Sequence, residues 1–111
     1  MKKAIVVVDM QNDFVDGALG TAEAQEMLPR MVEKLTAARA AGTALVFTMD
    51  THGADYLTTQ EGEHLPVPHC IRGTAGWAIV EALRPFADAA AAVIEKPTFG
   101  ATALPAALAD Y

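Results

Sequence analysis

The sequence lacks a second cysteine, a long apolar run and an excess of positive charge. Cys70 is the only cysteine among 111 residues, which excludes an internal disulfide framework and suits a reducing compartment such as the cytoplasm. No apolar run reaches the roughly 18 residues of a membrane span. The first ten residues contain Asp9 and no small-residue cleavage site, so we expect no signal peptide. A net charge of −6 argues against nucleic acid as a partner, because phosphate binding needs a basic face.

The composition that remains is typical of a soluble globular protein, with 52% hydrophobic and 20% charged residues. A chain of this length fits one domain. We therefore expect residues 1–111 to form a single domain without an internal boundary.

Three apolar runs, at residues 3–8, 43–49 and 90–96, predict buried strands, because they are continuous and rich in β-branched residues. Between the first two, residues 28–41 predict a helix, with Pro29 in its first turn and Gly42 at its C-terminal cap. The periodicity behind that helix comes from Leu28, Met31, Val32, Leu35 and Ala38.

A second helix is expected around residues 76–84, and residues 101–111 look like the beginning of another. Strands that alternate with helices predict an α/β fold with a parallel sheet. The segment 53–73 is longer than most connections in a compact domain, and such segments tend to be functional or disordered.

Each predicted strand ends in a charged residue: Asp9, Asp50 and Lys96, respectively. Ligands of open α/β sheets bind outside the carboxyl ends of the strands, so the three charges indicate a site at that edge. Lys96 near Asp9 would favour the ionised carboxylate, which could then act as a base. Two alternatives stay open: the charges mark the return of the chain to solvent, or the pair is a structural ion pair.

The tripeptide DTH and a later histidine suggest a metal site formed by Asp50, His52 and His69. Alternate residues of an extended segment point the same way, so Asp50 and His52 can converge. One carboxylate and two imidazoles suit zinc, iron(II) or manganese(II). Glu61 and His64 lie in the same segment and could add a ligand, although histidines in polar loops are often only solvated. The same donor set fits a non-heme iron oxygenase, which the strand and loop pattern disfavours.

Cys70 is the only candidate sulfur nucleophile. It directly follows His69, and adjacent side chains diverge in extended backbone. No pattern around it would stabilise a thiolate. We therefore expect Cys70 to be a structural thiol.

The stretches VVVDMQNDF, DTH, HCIRGT and EKPTF occur in the order found in the isochorismatase-like cysteine hydrolases, which include the nicotinamidases, and the chain resembles this superfamily over nearly its whole length. The resemblance implies a three-layer α/β/α fold with a parallel, doubly wound sheet. It implies that Asp9 is the catalytic base, Lys96 the catalytic lysine and Phe14 an aromatic residue of the substrate pocket. It also implies a divalent metal, with zinc favoured over iron or manganese, and its ligands would be Asp50, His52, Glu61 and His69.

In this superfamily a cysteine thiolate attacks a small amide, and water then hydrolyses the thioester. The resemblance places that cysteine after a fourth strand, beyond residue 111, so we expect the chain to be the N-terminal part of the fold and inactive alone. We also expect it to form a homo-oligomer or to pair with a complementary C-terminal fragment. Two alternatives are a metal-independent relative with another small substrate and a shortened, non-catalytic chain that binds a partner.

Overall fold

The computed structural model describes residues 2–97 and 101–111. Thr98 and Phe99 of the EKPTF stretch lie outside the described residues. Three strands, β1 (Ala4–Val8), β2 (Ala44–Asp50) and β3 (Ala92–Lys96), form a parallel sheet in the order β1-β2-β3. Val8 pairs with Thr48, and Asp50 pairs with Lys96. The predicted α/β class with a parallel sheet is confirmed.

Five α-helices accompany the sheet within the described part of the chain. They are α1 (Asn12–Val15), α2 (Ala22–Ala40), α3 (Gln60–His64), α4 (Arg84–Asp88) and α5 (Leu104–Ala107). Two 3₁₀ turns, Tyr56–Thr58 and Glu81–Leu83, precede α3 and α4. None of the described helices is long and apolar enough to cross a membrane.

Helix α2 begins six residues earlier than predicted, after Thr21, whose side chain accepts a hydrogen bond from the Ala24 N–H at 3.0 Å. Its first turns are largely exposed, so they carry no apolar periodicity that could reveal them. Pro29 consequently lies inside the helix, and the expectation that it occupies the first turn was wrong. The predicted cap at Gly42 is confirmed: its φ is +78°, a conformation that glycine adopts without strain.

The main core lies between α2 and one face of the sheet. Alternate residues of β2 point into it, led by Phe47, and the buried Leu35 of α2 packs against them. Met10, Leu83 and Phe86 also belong to this cluster. The opposite face of β2 is buried as well, with Val46 and Thr48 at 0% and 2% exposure. The sheet is therefore held firmly at β2, which carries Asp50 at its carboxyl end.

The helix predicted at 76–84 is wrong over its first half. Residues 77–80 run beside the segment after β1, where the Val80 N–H donates to the Met10 carbonyl and the Asn12 N–H donates to the Ala78 carbonyl. An antiparallel bridge joins Gln11 to Ile79. Backbone groups that are already paired in this way cannot close helical turns, so helical structure begins only at Glu81.

The long segment 53–73 is ordered. It contains the first 3₁₀ turn and α3, and a parallel bridge between His52 and Ile71 brings its end back to the sheet. The Tyr56 hydroxyl donates to the Leu65 carbonyl at 2.7 Å, which ties the middle of the segment to its first turn. The segment therefore delivers its side chains to the carboxyl edge of the strands.

Candidate active site and metal centre

Asp9 and Lys96 meet although their strands are not adjacent. The Lys96 Nζ lies 2.9 Å from the Asp9 Oδ2, across the end of β2. Two features allow this: Lys96 has a long side chain, and the Asp9 backbone turns at a φ of +54° directly after β1. That φ is uncommon for a residue other than glycine, and such strain tends to occur at functional sites.

Thr48 holds the other side of the same carboxylate. Its Oγ1 donates to the Asp9 Oδ1 at 2.8 Å, and its carbonyl accepts the Asp9 N–H at 3.1 Å. Both carboxylate oxygens thus have a donor, while the Asp9 side chain keeps about 20% of its surface exposed. Asp9 is fixed in place and still accessible. Thr48 was not predicted from the sequence, although a threonine inside a buried apolar strand is a signal that its hydroxyl has a partner.

The second constellation joins four side chains: Asp50, His52, Glu61 and His69 can each direct one donor atom to a common point, and these atoms all lie within 4.8 Å of one another. Asp50 ends β2, His52 follows it, Glu61 comes from α3, and His69 comes from the end of the long segment. The structure brings together the ligand set that the sequence suggested. This group could hold a metal ion.

The Asp50 carboxylate is the centre of this group. Its Oδ2 lies 2.9 Å from the Nε2 of His52 and 3.3 Å from the Nε2 of His69. All three side chains are at most 7% exposed. A carboxylate oxygen and two imidazole nitrogens that converge in a buried place suit a cation, since carboxylates and neutral imidazoles are common ligands of zinc.

Glu61 supplies the best test of whether a metal fits. Its Oε2 is buried and lies 3.2 Å from the His52 Nε2 and 3.6 Å from the His69 Nε2, yet it accepts no hydrogen bond from any described residue. A buried carboxylate oxygen without a hydrogen bond is costly. A cation among the four donors would satisfy it, so the residues fit a metal ion.

His69 is oriented for such a role. Its Nδ1 lies 2.7 Å from the Val67 carbonyl oxygen. A carbonyl can only accept, so the Nδ1 donates this hydrogen bond and the Nε2 is the ring nitrogen that faces the cluster. Histidine ligands of metals commonly donate their other ring nitrogen in this way. His64, which the sequence offered as an extra ligand, is not part of the group: it is exposed, and its Nδ1 contacts the Gln60 carbonyl.

Tyr56, which was not predicted from the sequence, supports both histidines. Its ring packs edge-on against His52 and His69, with centroids 4.8 Å and 5.1 Å away. Burial raises the pKa of the Tyr56 hydroxyl above its ordinary value of 10, and the nearby Glu61 carboxylate adds to this effect. The phenol therefore stays neutral, and its role is to pack against the two histidine rings. A single tyrosine in a polar segment gives no sequence signal for such a role.

Phe14 and Cys70 flank the group on its other sides. The Phe14 ring makes an edge contact with His69 at 5.4 Å. Cys70 is fully buried, has a φ of +49° and donates its backbone N–H to the Asp13 Oδ2 at 2.8 Å. Burial raises the pKa of the Cys70 thiol to about 12, and the carboxylates of Asp50, Asp13 and Asp9 contribute. At neutral pH this thiol is protonated.

A cavity of about 500 Å³ opens beside the ligand group, and His52, Glu61, His64, Leu65 and Pro97 contribute to its lining. Its size suits a small molecule. The lining combines polar side chains, among them the metal-ligand candidates His52 and Glu61, with the apolar Leu65 and Pro97. A small ligand in this cavity would therefore lie next to the ligand group.

Known proteins share sequence and fold with this chain. The family model for the isochorismatase domain matches residues 3–110. A nicotinamidase/pyrazinamidase from Bacillus subtilis is 30% identical with a TM-score of 0.84, over 99% of this chain and 66% of its own. A pyrazinamidase from Pyrococcus horikoshii, solved in complex with zinc, is 29% identical with a TM-score of 0.68, over 91% of this chain and 56% of its own.

An N-carbamoylsarcosine amidase from Thermoplasma acidophilum is 27% identical with a TM-score of 0.75, over 99% of this chain and 62% of its own. No curated protein matches the chain. The chain thus spans less than two thirds of the length of each of these three solved structures.

Proposed function

The chain belongs to the isochorismatase family, and we propose that it supplies the acid–base pair and the metal centre of a hydrolase that cleaves a small amide of the nicotinamide type. One observation carries this proposal: the Asp9–Lys96 pair and the four-residue ligand group occur together at the carboxyl edge of one parallel sheet. A structural ion pair alone would not explain a second cluster of buried polar side chains beside it.

In this proposal Asp9 acts as the base toward a cysteine thiol. Asp9 accepts the thiol proton, the sulfur attacks the amide carbonyl, and the C–N bond breaks as the proton passes to the leaving ammonia. Water then cleaves the thioester, which returns the thiol and releases the carboxylic acid. The Lys96 ammonium pairs with the Asp9 carboxylate at 2.9 Å, and Thr48 fixes the carboxylate rotamer through its hydrogen bond. Backbone N–H groups beside the cysteine would hold the oxyanion.

The nucleophile in this proposal is a cysteine that follows Tyr111, as the resemblance implies, and is not Cys70. Two observations support that choice. Cys70 is buried with a pKa near 12, whereas a nucleophilic cysteine needs a thiolate at neutral pH. Its backbone N–H is also engaged by Asp13.

We propose zinc as the resident ion, held by Asp50, His52, Glu61 and His69. The buried, unsatisfied Glu61 oxygen supports a cation here, and two imidazoles with carboxylates favour zinc, with iron or manganese as alternatives. A bound ion would supply a Lewis acid at this edge of the sheet. The protein side chains orient the site: Tyr56 and Phe14 pack the histidine rings, and Phe14 presents an apolar wall to a flat aromatic amide.

The similarity to an N-carbamoylsarcosine amidase over 99% of the chain supports a second candidate. In that case the substrate would be a carbamoyl amide, and the same Asp9–Lys96 pair would act without a metal. Binding of a divalent ion by the ligand group would favour the first candidate.

We also propose that the open edge of β1 is covered by another strand. Among the described residues β1 pairs with β2 alone, and its Val8 is 59% exposed. Unpaired strand edges invite pairing, so a second copy or a complementary C-terminal segment is the expected partner. The single cysteine supports a reducing compartment, and we propose the cytoplasm.

The test is ammonia release from nicotinamide, pyrazinamide and N-carbamoylsarcosine by a protein that extends past Tyr111 to the proposed cysteine. Asp9→Asn should lower kcat/KM about 10²- to 10⁴-fold, the usual contribution of a positioned base. Asp88→Asn, at an exposed carboxylate of α4, is the matched control and should change nothing. Equal rates for Asp9→Asn and wild type would refute the proposed role of the pair.

A further inference from the structure

Gln11 has a fully buried amide that binds both backbone groups of one metal-ligand candidate. Its Oε1 accepts the Asp50 N–H at 2.8 Å, and its Nε2 donates to the Asp50 carbonyl, also at 2.8 Å. The paired register of β1 and β2 ends at Val8 and Thr48. The side-chain amide thus replaces a peptide group and continues the ladder two residues further, to Asp50.

A third hydrogen bond uses the second N–H of the Gln11 side-chain amide. The Gln11 Nε2 also donates to the Trp77 carbonyl at 2.8 Å. One acceptor and two donors of the side chain therefore face one donor and two acceptors of the backbone. A glutamate in this place would turn a carboxylate oxygen toward two carbonyls, and an apolar residue would leave three backbone groups without this partner, the two of Asp50 being buried.

Asp13, two residues further on, binds the backbone next to another ligand candidate. Its Oδ2 accepts the Cys70 N–H at 2.8 Å, directly after His69. The carboxylate fits closely against Gly76, where an added Cβ would clash with the same oxygen. Cys70 has a positive φ, so this contact stabilises an uncommon backbone conformation. That conformation sets the position of the neighbouring His69.

We propose that Gln11 and Asp13 are positioning residues for the metal centre: they hold the Asp50 segment and the His69 segment at the spacing that an ion requires. The inference rests on the proposed metal centre. Metal ligands must lie within a few tenths of an ångström of their bonding distances, and the two segments are far apart in sequence. The short polar segment 11–13 is the element that binds both of them.

The experiment measures zinc affinity of the 111-residue protein by calorimetry, with a competing chelator, in four variants. Gln11→Glu and Asp13→Ala should each weaken zinc binding about 10- to 100-fold, as is typical of residues that orient ligands. Asp13→Asn keeps an acceptor oxygen for the Cys70 N–H and should restore affinity to within about threefold of wild type. Asn12→Ala is the matched control. Asn12 lies in the same segment 11–13, and its side chain donates to the Ala75 carbonyl, which belongs to neither ligand segment.

Two further readouts separate positioning from general stability. The visible spectrum of the cobalt(II)-loaded protein should change in Gln11→Glu and Asp13→Ala and stay the same in Asn12→Ala and Asp13→Asn. Melting temperatures in chelator identify variants that do not fold. If Gln11→Glu is unfolded, the comparison of Asp13→Ala with Asp13→Asn decides.

The outcomes distinguish this inference from the proposed function. Wild type that binds zinc, with Asp13→Ala and folded Gln11→Glu equal to the control in affinity and cobalt spectrum, overturns the positioning role alone. Wild type that binds no zinc overturns the metal centre and the inference with it. A selective loss in the two variants, with rescue by Asp13→Asn, supports the positioning role.

Discussion

Separating Asp9 from Lys96 should reveal a coupling much larger than that of an exposed ion pair. The Lys96 side chain is 4% exposed and that of Asp9 is 20% exposed, with Nζ and Oδ2 at 2.9 Å. Removing one partner of a fully buried pair costs about 3–5 kcal/mol, because it leaves an uncompensated charge. Asp9 retains some solvent and the Thr48 hydroxyl, so we expect Lys96→Met to cost roughly 2–3 kcal/mol, below that range.

The assay is a double-mutant cycle by urea unfolding with Asp9→Asn, Lys96→Met and the double variant. The double variant carries neither charge, so the coupling energy should be roughly 2–3 kcal/mol. Arg72 and Glu95 form the matched control pair, with side chains 61% and 38% exposed. Their coupling, measured with Arg72→Met and Glu95→Gln, should stay below about 1 kcal/mol. Equal couplings for the two pairs would refute the claim that Asp9 and Lys96 form a desolvated pair.

Four further predictions follow from the site and the sheet. His52→Ala or His69→Ala should weaken zinc binding measured by calorimetry, and acid should release the ion because protonated imidazoles cannot bind it; unchanged binding in the double variant would remove the site. The 111-residue chain should release no ammonia from nicotinamide, and steady release that Cys70→Ala abolishes would show that Cys70 is the nucleophile. In chelator, stability should fall as pH rises from about 9 toward 12, since the unfolded thiol ionises while the buried Cys70 thiol keeps its proton; a Cys70→Ala variant with the same alkaline loss would contradict this origin. Light scattering should show that the chain is not a free monomer, whereas a cooperatively unfolding particle of 11.7 kDa would contradict pairing at the β1 edge.

The sequence predicted the sheet well because its strands are continuous apolar runs, and β2 in particular is buried on both faces. It predicted the convergence of Asp50 with His52 because the two-residue period of an extended segment is a local property. It failed where tertiary contacts override local pattern. Residues 77–80 looked helical, but their backbone groups bind the segment after β1.

The residues that support the site could not be predicted from the sequence for the same reason. The roles of Gln11 and Asp13 depend on backbone groups about 40 and 57 residues away, and no local pattern encodes such pairs. The family resemblance suggested the roles of Asp9 and Lys96. Their meeting across β2, however, depends on the positive φ of Asp9, which the sequence alone does not reveal.

Anomalous diffraction at the zinc edge, from crystals of the 111-residue protein grown with zinc, tests the central claim most directly. One strong peak is predicted within bonding distance of Asp50, His52, Glu61 and His69, at the sheet edge where the Asp9–Lys96 pair lies. Zinc–nitrogen and zinc–oxygen distances near 2.0–2.2 Å are expected. Crystals that contain zinc only elsewhere, with the four side chains arranged as they are without it, would contradict the claim that this chain carries a metal-bearing hydrolytic site.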